Sequence, residues 1–69
     1  MAERWSSLRS FAEVKSFVAE RGNGSVDIYC YEDGWKQRAT LESLDAFETL
    51  ITIRIQMYGS ISARPSNLL

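Results

Sequence analysis

The chain of 69 residues contains no histidine and a single cysteine. Without histidine it lacks the side chain that most often serves as a general base, and one thiol cannot supply the ligands of an ordinary zinc site. A single cysteine also excludes a disulfide within the chain. We therefore expect no catalytic residue, no metal site and no cofactor, and we predict that the protein is not an enzyme.

Long apolar runs and a strong excess of either charge are also missing. The most apolar stretch, 50–58, is interrupted by three polar residues, and the first ten residues contain no continuous apolar segment, so neither a membrane span nor a signal peptide is predicted. The net charge of −1 argues against general binding of nucleic acid. A single free cysteine is typical of a reducing compartment, and we expect a cytoplasmic protein.

Hydrophobic residues make up 45% of the chain, which is too many for a disordered protein and predicts one folded domain. In a chain this short, the free energy of hydrophobic burial and the conformational entropy lost on folding nearly cancel. Small domains of this kind are usually completed by disulfides, a metal or a second chain. Because the composition excludes the first two, we expect a homodimer.

Residues 10–21 have the pattern of an α-helix. Ser10-Phe11-Ala12-Glu13 is a capping box, in which the Ser10 hydroxyl accepts a hydrogen bond from the Glu13 amide. Apolar residues then recur at helical spacing as far as Val18. Gly22 stands where a left-handed residue commonly follows the end of a helix.

The middle of the chain predicts a β-hairpin with strands over 26–32 and 35–41. Asp33-Gly34 is typical of a two-residue type I′ turn, and that turn pairs Tyr29 with Arg38. Alternation of side chains then defines two faces. The apolar core face comprises Val26, Ile28, Cys30, Ala39, Leu41 and Trp35. The opposite face carries Asp27, Tyr29, Tyr31, Lys36, Arg38 and Thr40.

The last regular element fits two patterns. Apolar residues spaced by three and four between Leu44 and Tyr58, followed by Gly59, predict a helix over 43–58. The β-branched residues of 49–55 instead favour a strand, either alone or after a short helix over 42–49. We favour the single helix because capping residues, terminal charges and apolar spacing agree. The predicted fold is an α+β helix–hairpin–helix domain (α-β-β-α) over residues 1–59, with a loose C-terminal tail over 60–69.

The polar face of the hairpin is a candidate binding surface. We expect Tyr29, Tyr31, Lys36 and Arg38, with Trp35 beside the turn, to bind a partner protein, because tyrosine and arginine are enriched at interface hot spots. Two alternatives remain open, an ordinary solvent-facing sheet and a platform for stacking single-stranded nucleic acid. Trp35 also fits a role in the core, and Trp5 fits either the core or a partner contact in the same way.

The last element carries more apolar residues than one buried face needs. We expect Leu50, Ile53, Met57 and Tyr58 to form the dimer interface. The alternative is that these side chains are buried between the first helix and the hairpin. A hairpin edge is a second candidate for the contact between copies.

The segments Val26–Lys36 and Ser43–Glu48 together resemble small accessory proteins encoded by bacteriophages. These include anti-CRISPR proteins, the inhibitor of uracil-DNA glycosylase and anti-quorum-sensing anti-activators. The resemblance implies a non-catalytic inhibitor that binds and blocks a host protein, such as a transcriptional regulator or an enzyme. A small nucleic-acid-binding or regulatory protein and a subunit of a larger complex are the alternatives.

Overall fold

A computed structural model describes residues 5–22 and 24–66. The described residues form an antiparallel four-stranded sheet with the strand order β1-β4-β2-β3 and two α-helices. The chain follows the order β-α-β-β-α-β, with elements β1 (Ser6–Leu8), α1 (Phe11–Ala19), β2 (Val26–Cys30), β3 (Trp35–Ala39), α2 (Glu48–Tyr58) and β4 (Ile61–Pro65). A single 3-10 turn, Leu44–Phe47, leads directly into α2.

The predicted helix–hairpin–helix fold is wrong, because two of the four strands lie outside the hairpin. β1 precedes the first helix, and β4 lies within residues 60–69, which were expected to form a loose tail. β4 occupies an interior position, where it pairs with β1 on one side and with β2 on the other. Its serine, alanine, arginine and proline residues give a weak strand signal, and pairing from both sides outweighs that low propensity.

Both helices pack on the same face of the sheet. The core consists of side chains from alternate strand positions together with one side of each helix: Leu8, Val14, Val18, Val26, Ile28, Cys30, Ala39, Leu44, Ile51, Ile61 and Ala63. Because strand side chains alternate between faces, the other residues point to a face that neither helix covers. We call this surface the open face. It carries Trp5, Ser7, Asp27, Tyr29, Lys36, Arg38, Ser62 and Arg64.

The predicted N-terminal cap of α1 is confirmed. The Ser10 hydroxyl accepts a hydrogen bond of 3.1 Å from the Glu13 amide. The Glu13 carboxylate accepts one of 2.9 Å from the amide of Arg9, one residue earlier than the capping box predicts. The helix ends at Ala19, and Gly22 adopts a left-handed φ of +61° as the chain turns toward β2.

The hairpin register differs from the prediction by two residues. Cys30 pairs with Trp35, so the strands are joined by a loop of four residues, 31–34, instead of two. The amide of Gly34 donates to the Cys30 carbonyl at 2.8 Å, and a carboxylate oxygen of Asp33 accepts from the Trp35 amide at 3.0 Å. Gly34 adopts a φ of +75°, which a residue with a side chain rarely takes. These local bonds favour the longer loop.

The two faces of the hairpin nevertheless sort as predicted, since a shift of two residues leaves each side chain on its own face. Val26, Ile28, Cys30 and Ala39 are buried, and Trp35 packs partly buried against the core. Leu41 is the exception. It lies beyond the end of β3 and is exposed, so its assignment to the core is wrong.

Residues 50–58 are helical, and the strand alternative for them is wrong. The predicted helix over 43–58 is confirmed from Glu48 onward, whereas 44–47 form the 3-10 turn. The Ser43 side chain makes no helix cap and accepts instead from the Thr40 amide at 2.9 Å. Gly59, at a φ of +93°, ends α2 as expected. Neither helix in the described ranges has the length and apolar character needed to cross a bilayer.

Candidate functional site

Three aromatic side chains form a row that begins on the open face and ends in the hairpin loop beside it. The ring centroids of Trp5 and Tyr29 lie 5.7 Å apart, and those of Tyr29 and Tyr31 lie 6.4 Å apart in an edge-to-face arrangement. These rings come from three places, namely the residue before β1, the middle of β2 and the hairpin loop. Tyr31 is 79% exposed and stands at one end of the row.

Cations cover two of these rings. The guanidinium carbon of Arg64 on β4 lies 4.3 Å from the centroid of the Trp5 ring, and Nζ of Lys36 on β3 lies 5.7 Å from that of Tyr29. Both distances fall within the range of cation–π attraction. The aromatic and cationic side chains therefore hold each other in place across the four strands.

Asp27 lies at the centre of the open face, between two arginines. One of its carboxylate oxygens accepts from Nε of Arg38 at 2.9 Å and from the Ser66 hydroxyl at 2.8 Å, and the other lies 3.8 Å from Nε of Arg64. The hydrogen bond from Arg38 is the largest of the effects that lower the pKa of Asp27, although partial burial opposes them. Asp27 therefore remains ionised at neutral pH and fixes both arginines.

An open cleft of about 450 Å³ is lined by Trp5, Asp27, Lys36, Arg38 and Arg64, together with Ile28 and Gln37. Three cations and one carboxylate give the cleft a formal charge of +2, whereas the whole chain carries −1. The remainder of the chain is therefore acidic, and positive charge is concentrated on the open face. The cleft is suited to an anionic group.

The predicted binding residues are divided between two places. Tyr29, Lys36 and Arg38 lie together on the open face, and Tyr31 adjoins them. Trp35 lies on the opposite, core-facing side, where the Arg54 guanidinium carbon lies 4.5 Å from its ring centroid. Sequence reasoning missed Arg64 and left Trp5 undecided between the core and a partner contact, because both positions depend on β1 and β4. The only local signal for Arg64 was the alternation of apolar and polar residues over 61–64.

Arg54 connects α2 to the hairpin loop. Its Nε lies 3.1 Å from a carboxylate oxygen of Asp33, and its guanidinium donates to the Leu50 carbonyl at 2.9 Å. The pKa of Asp33 is lowered mainly by the hydrogen bond from the Trp35 amide, with Arg54 adding to the effect. These contacts fix the loop that carries Tyr31.

The predicted dimer-interface residues are also divided. Leu50, Ile53 and Met57 are exposed and lie along one side of α2, since they are spaced by three and four residues. Tyr58 is half-buried and packs against the core, so it contributes less to that exposed surface. The alternative, in which these side chains are buried between the first helix and the hairpin, is wrong for Leu50, Ile53 and Met57.

Cys30 is a buried residue of the core and not an activated nucleophile. Burial raises the pKa of its thiol, and the sulfur lies 3.6 Å from a carboxylate oxygen of Glu32. No group of three potential metal ligands comes together in the part of the chain that the structure describes.

No protein-family model matches this chain, and neither curated proteins nor solved structures give a match. The resemblance to phage inhibitors therefore stays a prediction from the sequence.

Proposed function

We propose that this protein is a protein-binding module that uses its open face to cover a functional surface of a partner. One observation carries the proposal. Trp5, Tyr29 and Tyr31 lie in a row among Lys36, Arg38 and Arg64, on a sheet face that neither helix covers. Tryptophan, tyrosine and arginine are the residues most enriched at interface hot spots.

The same contacts reduce the entropic cost of binding. A flexible side chain that becomes immobilised at an interface loses about 0.5–1.5 kcal/mol. Here the Asp27 carboxylate already holds Arg38, and the Trp5 ring already lies against Arg64. These side chains therefore lose less conformational entropy when a partner binds, which favours affinity.

A protein partner fits this surface better than single-stranded nucleic acid. Stacking of a base needs a free ring face, but Arg64 lies over Trp5 and Lys36 lies over Tyr29. Nucleic-acid binding therefore remains the alternative against which the proposal is tested.

The mechanism that we propose is occlusion. The chain acts on a host regulator or enzyme by occupying a surface which that target needs for its own substrate or partner. This view combines the open face with the resemblance to phage inhibitors.

The proposal is tested by comparing what the wild type and two variants capture from a lysate of cells that normally contain the protein. The open-face variant is Trp5→Ser with Tyr31→Ser, because both side chains are exposed. The control is Lys15→Glu, which changes an exposed cation on α1 whose ion pair with Asp45, at 3.7 Å, is itself exposed.

We expect a protein that is retained in stoichiometric amount by the wild type and by the control, and is lost from the open-face variant. Equal retention by all three chains would overturn the proposal. So would retention of nucleic acid whose affinity falls steeply with salt, since that dependence is the signature of phosphate contacts. Circular dichroism verifies that both variants remain folded.

We also propose that two copies associate through the exposed side of α2. In an antiparallel pair of helices that crosses at Ile53, Leu50 of one copy lies against Met57 of the other, so the surface is complementary to itself. The neighbouring residues Thr49, Thr52 and Gln56 are uncharged and do not repel a second copy. The proposed dimer leaves both open faces free.

A further inference from the structure

β3 has an outer edge that no other strand pairs with in the described residues, because the strand order places it at the end of the sheet. The opposite edge is formed by β1, which has three residues against five in β3. An edge strand presents unpaired backbone N–H and C=O groups that can pair with a further strand. The outer side of β3 is therefore the longer of the two such edges, and one carbonyl of the strand, that of Arg38, already accepts from Nε2 of Gln37 at 3.0 Å.

The side chains of β3 determine which strand can be added there. Lys36 and Arg38 point to the open face and are both exposed, whereas Trp35, Gln37 and Ala39 point toward the core side. In an added strand, every second side chain would lie beside these two cations. Opposite charges at such positions stabilise the pairing, and like charges weaken it.

A second copy of β3 is a poor occupant of this edge. Full antiparallel overlap of two β3 strands centres on Gln37 and places Lys36 of each copy opposite Arg38 of the other. Two pairs of like charges would then face each other across the new ladder, which is destabilising. An acidic segment in place of the second β3 would put a carboxylate opposite Lys36 and another opposite Arg38, so that both contacts become attractive.

We infer that the outer edge of β3 takes up an extended acidic segment of the partner protein as a fifth strand. Two carboxylates of that segment, two residues apart, lie on the open face beside Lys36 and Arg38. Backbone hydrogen bonds supply affinity in this mode of recognition, and alternate side chains supply specificity. The inference rests on the proposed function and names the chemistry of the partner.

Arg38 can bind a new carboxylate without losing its present one. Its Nε donates to Asp27 at 2.9 Å, and a guanidinium has five N–H donors in all. The side chain is about half exposed, so the remaining donors can face an incoming strand. Asp27 thereby holds the Arg38 guanidinium in place while the remaining N–H groups of Arg38 bind the new carboxylate.

Three capped peptides and one oligonucleotide serve as probes. The first peptide alternates glutamate with valine over seven residues, and the second alternates lysine with valine. The third contains the glutamates of the first in consecutive positions, so that they fall on both faces of a strand. A short single-stranded oligothymidylate represents nucleic acid. Binding to the isotope-labelled protein is followed by NMR titration and amide hydrogen exchange.

We expect the alternating glutamate peptide to bind at least about tenfold more tightly than the other three probes. It should also slow hydrogen exchange at the β3 amides that point away from β2. Lys36→Glu should abolish this preference, because it places a carboxylate where the peptide needs a cation. The fold should persist, since the Lys36 side chain is exposed and lies over the Tyr29 ring. Lys15→Glu, the control on α1, should leave it unchanged.

Equal affinity for the consecutive-glutamate peptide would overturn the inference, because it would show attraction by charge alone. Preference for the oligothymidylate, or the absence of added protection at β3, would overturn it too. The outcome is independent of the capture experiment. If Trp5→Ser with Tyr31→Ser still loses a partner while no peptide protects β3, the open-face proposal stands and the added strand is wrong.

Discussion

Ile61 provides the most direct test of the fold, because it lies in the segment that the sequence predicts to be a loose tail. Its side chain is 1% exposed and belongs to the core through β4. Replacing a buried isoleucine with alanine typically costs about 2–5 kcal/mol. A domain of this length has a total stability of about 3–10 kcal/mol, at about 0.05–0.15 kcal/mol per residue. Ile61→Ala should therefore remove a large share of the stability.

The assay is urea unfolding followed by circular dichroism, at a protein concentration low enough to keep the chain monomeric. We expect the midpoint to fall strongly with little change in slope, since the surface exposed on unfolding stays similar. Met57→Ala is the matched control, because that side chain is 62% exposed and its loss should change the free energy of unfolding by less than about 0.5 kcal/mol.

An Ile61→Ala midpoint equal to that of the wild type would refute the reasoning. It would mean that residues 60–69 are the loose tail that sequence patterns predict. A stronger form of the test ends the chain at Gly59, which deletes β4 and leaves β1 and β2 without the strand between them. We expect that fragment to show no cooperative unfolding, and a cooperative transition would restore the α-β-β-α fold.

Three further predictions concern single side chains. The pKa of Asp27 is lower in the folded protein than its ordinary value of 3.8, so the carboxylate stabilises the fold fully above pH 3.8 and this contribution is lost as pH falls through the folded-state pKa. Asp27→Asn should therefore lower the free energy of unfolding by about 1 kcal/mol near neutral pH. In urea unfolding, the variant should also lose less stability than the wild type as the pH is lowered. Ile53→Glu should shift sedimentation equilibrium toward monomer, whereas Lys15→Glu, the exposed control on α1, should leave it unchanged. Arg54→Ala should broaden the NMR signals of the 31–34 loop, and Arg54→Lys should restore them only in part, because an ammonium cannot stack on Trp35 as a guanidinium does.

Local signals in the sequence predicted the parts of the structure that local chemistry governs. The Ser10 cap depends on residues within one turn of helix, and Gly22 and Gly59 adopt the left-handed conformations that glycine favours. The alternation along β2 placed Tyr29 on the polar face and Ile28 in the core. These assignments survived an error of two residues in the register, because side chains alternate with a period of two.

The length of the hairpin loop was less predictable, although it is also local. Asp33-Gly34 favours a two-residue turn, but the Asp33 side chain bonds to the Trp35 amide and Arg54 holds it from α2. The second of these contacts joins residues far apart in the sequence. The contact between Arg54 and Asp33 is enough to outweigh the preference of Asp33-Gly34 for a two-residue turn.

The sequence by itself determined that this is one small domain with an amphipathic hairpin, two helices, no histidine and no disulfide within the chain. Only the tertiary structure decided that β4 runs between β1 and β2, and so brought Trp5 and Arg64 beside Tyr29. The physical reason is that short strands of low intrinsic propensity are stabilised by the neighbours they pair with. Ser6 and its partner Ala63 lie near opposite ends of the chain, where no local pattern connects them.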